Sequence, residues 1–252
     1  MSAMTISWIV FACVFAGALL GITLRRLLPE HHLNDDSKDV VKLGMGLIAT
    51  MAALVLALLI ASAKSSHDMQ STEITEMSAD FILLDRTLAR YGEETKDIRS
   101  SIPVTISNVL SQTWSADAYR TENLDRAIGA GADTFYEKIR QLEPRGDFQH
   151  AMYAQTLKIS MELGRKRSLL LEQTGNSIAM PFLIVLVFWL TLIFASFGLF
   201  APTNPTVIGV LLACALSVAG AIFLILELDR PFQGLLQISS APLRSALVHL
   251  GK

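Results

Sequence analysis

Four stretches of this sequence, 6–24, 43–63, 178–201 and 206–226, each run for about 20 residues without a single charge. A helix rises 1.5 Å per residue, so each is long enough to cross a hydrocarbon core about 30 Å thick. The second stretch shows the energetics. It holds nine Leu, Ile or Val residues, which together favour insertion by about 3–5 kcal/mol, and one central charge would cancel most of that. None is present, while Lys42 and Lys64 stand immediately outside it. A lipid environment is the constraint everything else must satisfy.

Charge is segregated accordingly. Residues 64–177 hold 31 of the chain's 44 Lys, Arg, Asp and Glu residues. The expected organisation is two membrane helices in 1–63, joined by a short polar loop over 25–42, then a helical extramembrane domain over 64–177. A membrane hairpin over 178–228 and a C-terminal tail over 229–252 complete the chain. A net charge of −2 offers no basic surface, which excludes nucleic acid as a partner. Cys13 and Cys214 both fall in uncharged blocks and read as small apolar packing residues, since a disulfide framework or zinc site needs more cysteines at short spacings.

The first block lacks a basic leading segment and runs long before Arg25 and Arg26, which reads as a signal anchor. Pro202-Thr203-Asn204-Pro205 makes the uncharged turn of the hairpin, and Pro181 sits in the first turn of the third span, where its missing N–H costs little. Four spans place both termini and the large domain on one side. That side carries Lys64, Lys158, Arg165, Lys166, Arg167, Arg230 and Arg244 near the spans. The other carries Arg25, Arg26, Lys38 and Lys42 among acids, which favours a cytoplasmic domain.

The domain reads as helices throughout, without period-two alternation, so the fold class is all-α. Ile74, Met77, Phe81, Leu84, Leu88 and Tyr91 form a heptad seam ending at Gly92. Nothing breaks the pattern after Ala63, so the second membrane helix is expected to continue into it. The seam suits either packing inside the chain or contact between subunits. Further helices are expected near 93–115, 120–142 and 147–177, with Asp117 and Asp147 as caps and Gly129, Gly131 and Pro144 as weak points. Phe148, Met152, Ile159, Leu163 and Leu170 share one face of the last.

No catalytic constellation is present: no phosphate loop, nucleophile elbow or HExxH pattern. An enzyme is not expected, nor a cofactor or resident metal. His31, His32, Asp35 and Asp36 have generic spacing and read as a solvated loop. His67, His150 and His249 stand singly among polar neighbours. The spans carry more information. Gly46, Thr50, Ala53, Ala57, Ala61 and Lys64 recur every three or four residues along the second. Similar stripes run through Cys13, Gly17 and Gly21 in the first span and through Gly209, Ala213, Ser217 and Ala221 in the fourth. Small-residue faces let helices approach closely, the reading adopted for the first and fourth. The second stripe ends in Lys64 beside Ser62, Ser65 and Ser66. Close packing is the default reading of this stripe too; the alternative is the wall of a pore with a cationic mouth formed by several copies.

After the fourth span stands Leu228-Asp229-Arg230-Pro231-Phe232-Gln233-Gly234, followed by Ile238-Ser239-Ser240-Ala241-Pro242-Leu243. With the segments Leu43–Thr50 and Ala61–Ser66, and with Leu83-Leu84-Asp85-Arg86, Tyr91-Gly92 and Glu94-Thr95, this resembles the bestrophin-like family of bacterial membrane proteins. The resemblance implies a homo-oligomeric channel for inorganic ions in the bacterial inner membrane, pentameric, with the second span lining the pore and a cytosolic helical part. The tail residues Asp229, Arg230, Pro231, Phe232 and Gly234 carry the most specific part of the match. From the residues alone, this tail is either a membrane-exit turn with Phe232 anchored at the lipid interface or a segment docked against the domain. The second span lacks the aromatic bulk that narrows a bestrophin pore, so Leu, Ile or Met would have to supply any constriction. Only Glu227 and Asp229 are acidic after residue 226, which gives the acidic calcium clasp of animal bestrophins no counterpart. The runner-up is a non-conducting membrane scaffold or sensor whose helical domain binds a protein.

Overall fold

A computed structural model of the chain describes residues 2–27, 35–114, 135–175, 180–202 and 204–250. Among these the regular structure is entirely helical. In chain order the α-helices are α1 (Ala3–Leu27), α2 (Asp35–Tyr91), α3 (Lys96–Thr113), α4 (Asp147–Gly175), α5 (Met180–Phe200), α6 (Pro205–Leu228) and α7 (Ala241–His249). A 3-10 turn, Glu93–Thr95, precedes α3, and 135–140 is helical. Four helices, α1, α2, α5 and α6, are long and apolar enough to cross a membrane. Asp117, Gly129, Gly131, His31 and His32, with most of the helix expected over 120–142, lie outside the described residues.

The chain divides into two compact units. The first comprises Met1–Ser66 and Ser177–Asp229, the second His67–Asn176 and Arg230–Lys252. The continuous 57-residue α2 contributes to both, as the unbroken pattern after Ala63 requires.

In the first unit α1 packs against both α5 and α6. Glycine makes the α1–α5 contact possible. A Cβ at Gly21 would lie 2.0 Å from the Ala195 carbonyl oxygen, and one at Gly198 would lie 2.1 Å from that of Ala18. Tight van der Waals packing of this kind holds helices together where lipid is as apolar as the side chains. Val10, Val14 and Ala18 meet Leu186, Leu190, Leu211 and Ile222 in the core. The Arg25 guanidinium donates to the carbonyl of Ala201 just past the end of α5, placing a cation at the negative end of that helix dipole.

Two expectations about small residues need correction. Cys13 is exposed within the chain, because the packed face of α1 runs through Val14, Gly17, Ala18 and Gly21. On α6 the buried positions are Leu211, Ala215, Ala219 and Ile222, leaving Gly209, Ala213 and Ser217 exposed and Ala221 half-buried. Cys214 is exposed too. Among the described residues, Gly209, Ala213 and Ser217 of the α6 stripe are left uncovered.

In the second unit all six seam residues are buried. Ile74, Met77, Phe81, Leu84 and Leu88 join Ile98, Ile102 and Ile106 of α3, Ile159 and Leu163 of α4, and Leu243 and Ala246 of α7. The seam is thus covered by its own chain. Burying a Leu of this kind is worth about 1.5–3 kcal/mol. Phe148 departs from expectation at 62% exposure, because the inward face of α4 is set by Thr156, Ile159, Leu163 and Lys166. Asp147 is the first helical residue rather than the cap. Gly146, with φ +88, takes the cap position, its carbonyl accepting from the His150 N–H. At the end of α2, Gly92 has φ +139, a conformation that costs other residues strain. The Thr95 hydroxyl then reaches the Leu88 carbonyl at 2.6 Å, satisfying a helix end that would otherwise lack a donor.

Candidate functional site

The part of α2 in the first unit has three faces. One is turned to the bundle: Ala52 and Ala63 are buried, and Met45, Ile48, Val55 and Leu59 pack against the same core. About 150° round the helix, at 100° per residue, lies the small-residue stripe. Every member of it, Gly46, Thr50, Ala53, Ala57, Ala61 and Lys64, is exposed within the chain. A Cβ at Gly46 would meet nothing within 4 Å. This glycine, unlike Gly21 on α1, is not required by any packing inside the subunit. The third face is a leucine ridge, Leu43, Leu47, Leu54 and Leu58, each between 64% and 78% exposed and about 70° from the stripe.

The stripe offers little chemistry. The Thr50 hydroxyl donates to the Leu47 carbonyl at 2.7 Å, so it presents an acceptor oxygen and a methyl group outward. The alanines present methyl groups alone. Lys64 supplies a cation at one end, with Ser62, Ser65 and Ser66 beside it, all exposed. Such a surface suits passage past it rather than tight or reactive binding. Among the described residues no three His, Cys, Asp or Glu side chains group as metal ligands.

The LDRPF segment is built very differently. Asp229 ends α6, its N–H donating to the Ile225 carbonyl at 3.1 Å. Beyond it the chain closes a loop in which the Ile238 N–H donates to the Pro231 carbonyl at 2.6 Å. Pro231 is buried and Arg230 half-buried, and Gly234 adopts φ +88, which explains a glycine there. Phe232 packs edge-on against Trp114 with ring centroids 5.3 Å apart, and Trp114 Nε1 donates to the Ile238 carbonyl at 2.8 Å. Phe232 therefore serves the core of the second unit. A ring nitrogen of His67 lies 3.0 Å from the Leu236 carbonyl, fastening the loop to α2 three residues past Lys64. Neither Trp114 nor His67 stood out in the sequence. A tryptophan N–H that must find a partner when buried was the available signal for Trp114; a lone histidine carried none.

The matched segment around Asp85 also has a structural role, as does Lys166 on α4. Asp85 accepts from Arg99 Nε at 2.8 Å and from Nη2 at 3.2 Å, a bidentate pair that holds α3 on α2 and raises the Arg99 pKa, first through that hydrogen bond. Lys166, 8% exposed, lies 2.8 Å from Asp80 and 2.9 Å from Glu76. Burial pushes its pKa down, but the hydrogen bonds and charges of Asp80 and Glu76 outweigh it and the net shift is upward. This lysine, counted above as a cation beside the spans, is committed to the domain interior.

A family model described as the bestrophin-like domain matches residues 12–243. The chain belongs to the bestrophin-like family. Its fold is similar to two crystal structures of a bacterial bestrophin homologue from Klebsiella pneumoniae. A tryptophan-to-alanine variant aligns with a TM-score of 0.69 at 13% identity, covering 99% of this chain and 97% of that one. A leucine-to-threonine variant gives 0.67 at 14%, covering 94% and 96%. At that identity the likeness establishes the bestrophin fold and no more. A comparison with curated proteins gives no match. The LDRPF loop, Asp85 and Thr95 are then features that this bestrophin-like chain uses to build its second unit, whereas the α2 stripe is left exposed among the described residues.

Proposed function

We propose that this protein is a homo-oligomeric ion channel in which α2 of each subunit turns its small-residue stripe toward a central pore. One observation carries the reading. Gly46, Thr50, Ala53, Ala57, Ala61 and Lys64 are all exposed while the opposite side of the same helix is packed. A stripe of small side chains left exposed by the subunit is available to line a water-filled axis between copies. Family membership supports the same reading through the resemblance to bestrophin channels, which also suggests five subunits. The leucine ridge beside the stripe supplies apolar bulk for a contact with the next subunit. We assign the chain to the bacterial inner membrane, with 64–177 as its extramembrane part on the cytoplasmic side. Inorganic ions are the transported species.

The test is flux from liposomes containing the purified protein. Thr50→Trp and Ala57→Trp each place an indole on the stripe and are expected to abolish flux. Flux that survives both substitutions overturns α2 as the pore helix. Lys64→Glu is expected to move the reversal potential under a salt gradient toward cation preference. An unmoved potential removes the cationic mouth.

A further inference from the structure

Beside the stripe, and still within the first unit, a cavity of about 400 Å³ opens between α2 and α5. Its wall on α2 runs from Lys42 through Gly46 to Ala49, and its wall on α5 runs from Ala201 through Phe200 and Phe197 to Ile193. Seven residues of helix separate Lys42 from Ala49, so the cavity extends about 10 Å along α2. Gly46 and Ala49 lack the bulk to fill it, and a Cβ at Gly46 would find only open space. The volume lies in the range of ligand pockets.

Its character is asymmetric. The long walls are hydrocarbon and aromatic, while cations collect at one end. Lys42 lines that end, and Arg25 reaches the carbonyl of Ala201 there. Asp39 is the opposing acid, 3.3 Å from Lys42, but both side chains of that pair are more than 60% exposed. An exposed pair of this kind is worth little and leaves Lys42 able to turn to another anion. An apolar slot beginning at a cation, on a helix that crosses lipid, matches the shape of a molecule with one anionic head and a long apolar tail.

We propose that this cavity is a binding site for one anionic phospholipid per subunit, its headgroup phosphate against Lys42 and one acyl chain along Met45, Ala49, Phe197 and Phe200. Nothing in this inference depends on conduction, so it can fail or hold independently of the channel reading.

The full-length protein, purified in mild detergent with equal amounts of phosphatidylglycerol and phosphatidylcholine, is examined by native mass spectrometry for lipid retained per subunit. Wild type is expected to hold phosphatidylglycerol in preference to phosphatidylcholine. Lys42→Gln should weaken phosphatidylglycerol retention about fivefold, the factor one cation near an anionic headgroup contributes. Ala49→Phe, which fills the slot, should reduce retention of both lipids. Ser196→Leu fills it from α5 and replaces Ala49→Phe if that variant does not fold. Equal retention of the two lipids by wild type, or retention unchanged in all variants, overturns the site. So does a smaller oligomer in Ala49→Phe with its bound lipid intact, which would show that a second copy of the chain occupies the groove.

Discussion

Gly21→Ala separates the two kinds of glycine in this protein. The added Cβ would lie 2.0 Å from the Ala195 carbonyl oxygen and 2.8 Å from the Leu199 nitrogen. Both are backbone atoms, so relief requires α1 and α5 to move apart by more than 1 Å rather than a side chain to rotate. Such overpacking costs typically 1–3 kcal/mol, here near 3 because the whole seam of Val14, Ala18, Leu186 and Leu190 loosens with it. Alanine recovers about 1 kcal/mol through its higher helix propensity, leaving a net loss of about 2 kcal/mol. For a chain of this size that corresponds to a fall of roughly 4–8 °C in apparent melting temperature. Gly46→Ala meets nothing within 4 Å and should leave the melting temperature unchanged or slightly raised. Fluorescence-monitored thermal unfolding of the detergent-solubilised variants measures both. Equal melting temperatures for Gly21→Ala and wild type, or a large loss in Gly46→Ala, would refute the distinction between packed and open stripes.

Trp114→Phe keeps the ring against Phe232 but removes the bond to the Ile238 carbonyl, at a cost of about 1 kcal/mol; limited proteolysis should cut the 232–240 loop about fivefold faster, and an unchanged rate would show the bond is idle. Lys166→Met leaves Asp80, its side chain 18% exposed, facing a site without its cation, and should destabilise the protein by about 1–3 kcal/mol. The pH dependence of that loss has a definite sign. The raised Lys166 pKa contributes stability that is complete below the ordinary lysine value and vanishes as pH rises through the raised one. Glu76 is lowered, first by its hydrogen bond from Lys166, so its share is present above the ordinary carboxylate value and vanishes as pH falls through the lowered one. The advantage of wild type over Lys166→Met in thermal melts should therefore narrow at both extremes, and a pH-independent gap would count against the ion pairs.

The spans were legible because lipid tolerates almost no charge, and four uncharged blocks of sufficient length admit few other arrangements. The seam from Ile74 to Tyr91 was legible as a buried face for the same reason that any apolar stripe is, but not its partner. Sequence could not tell the stripes apart. Gly17 and Gly209 occupy similar small-residue patterns, yet a Cβ at Gly17 would lie 2.8 Å from Thr191 while one at Gly209 meets nothing. Periodicity identifies a face; only packing reveals whether the chain itself covers it. The polar fastenings were hidden by distance along the chain: 169 positions separate His67 from Leu236 and 124 separate Trp114 from Ile238. Neither end of such a bond carries a local pattern that names the other. Phe232 shows the same limit, since an aromatic beside a membrane exit suits the lipid interface and a domain core equally well.

Thiol accessibility along α2 during flux tests most directly whether the small-residue stripe faces a conducting pore. In a chain carrying Cys13→Ser and Cys214→Ser, single cysteines at stripe positions and on the leucine ridge are exposed to a charged, water-soluble thiol reagent in proteoliposomes. Thr50→Cys, Ala53→Cys and Ala57→Cys are expected to react and lose their flux, whereas Leu54→Cys and Leu58→Cys are expected to conduct and remain unmodified. Modification and block confined to the leucine positions, with the stripe inert, would contradict that placement.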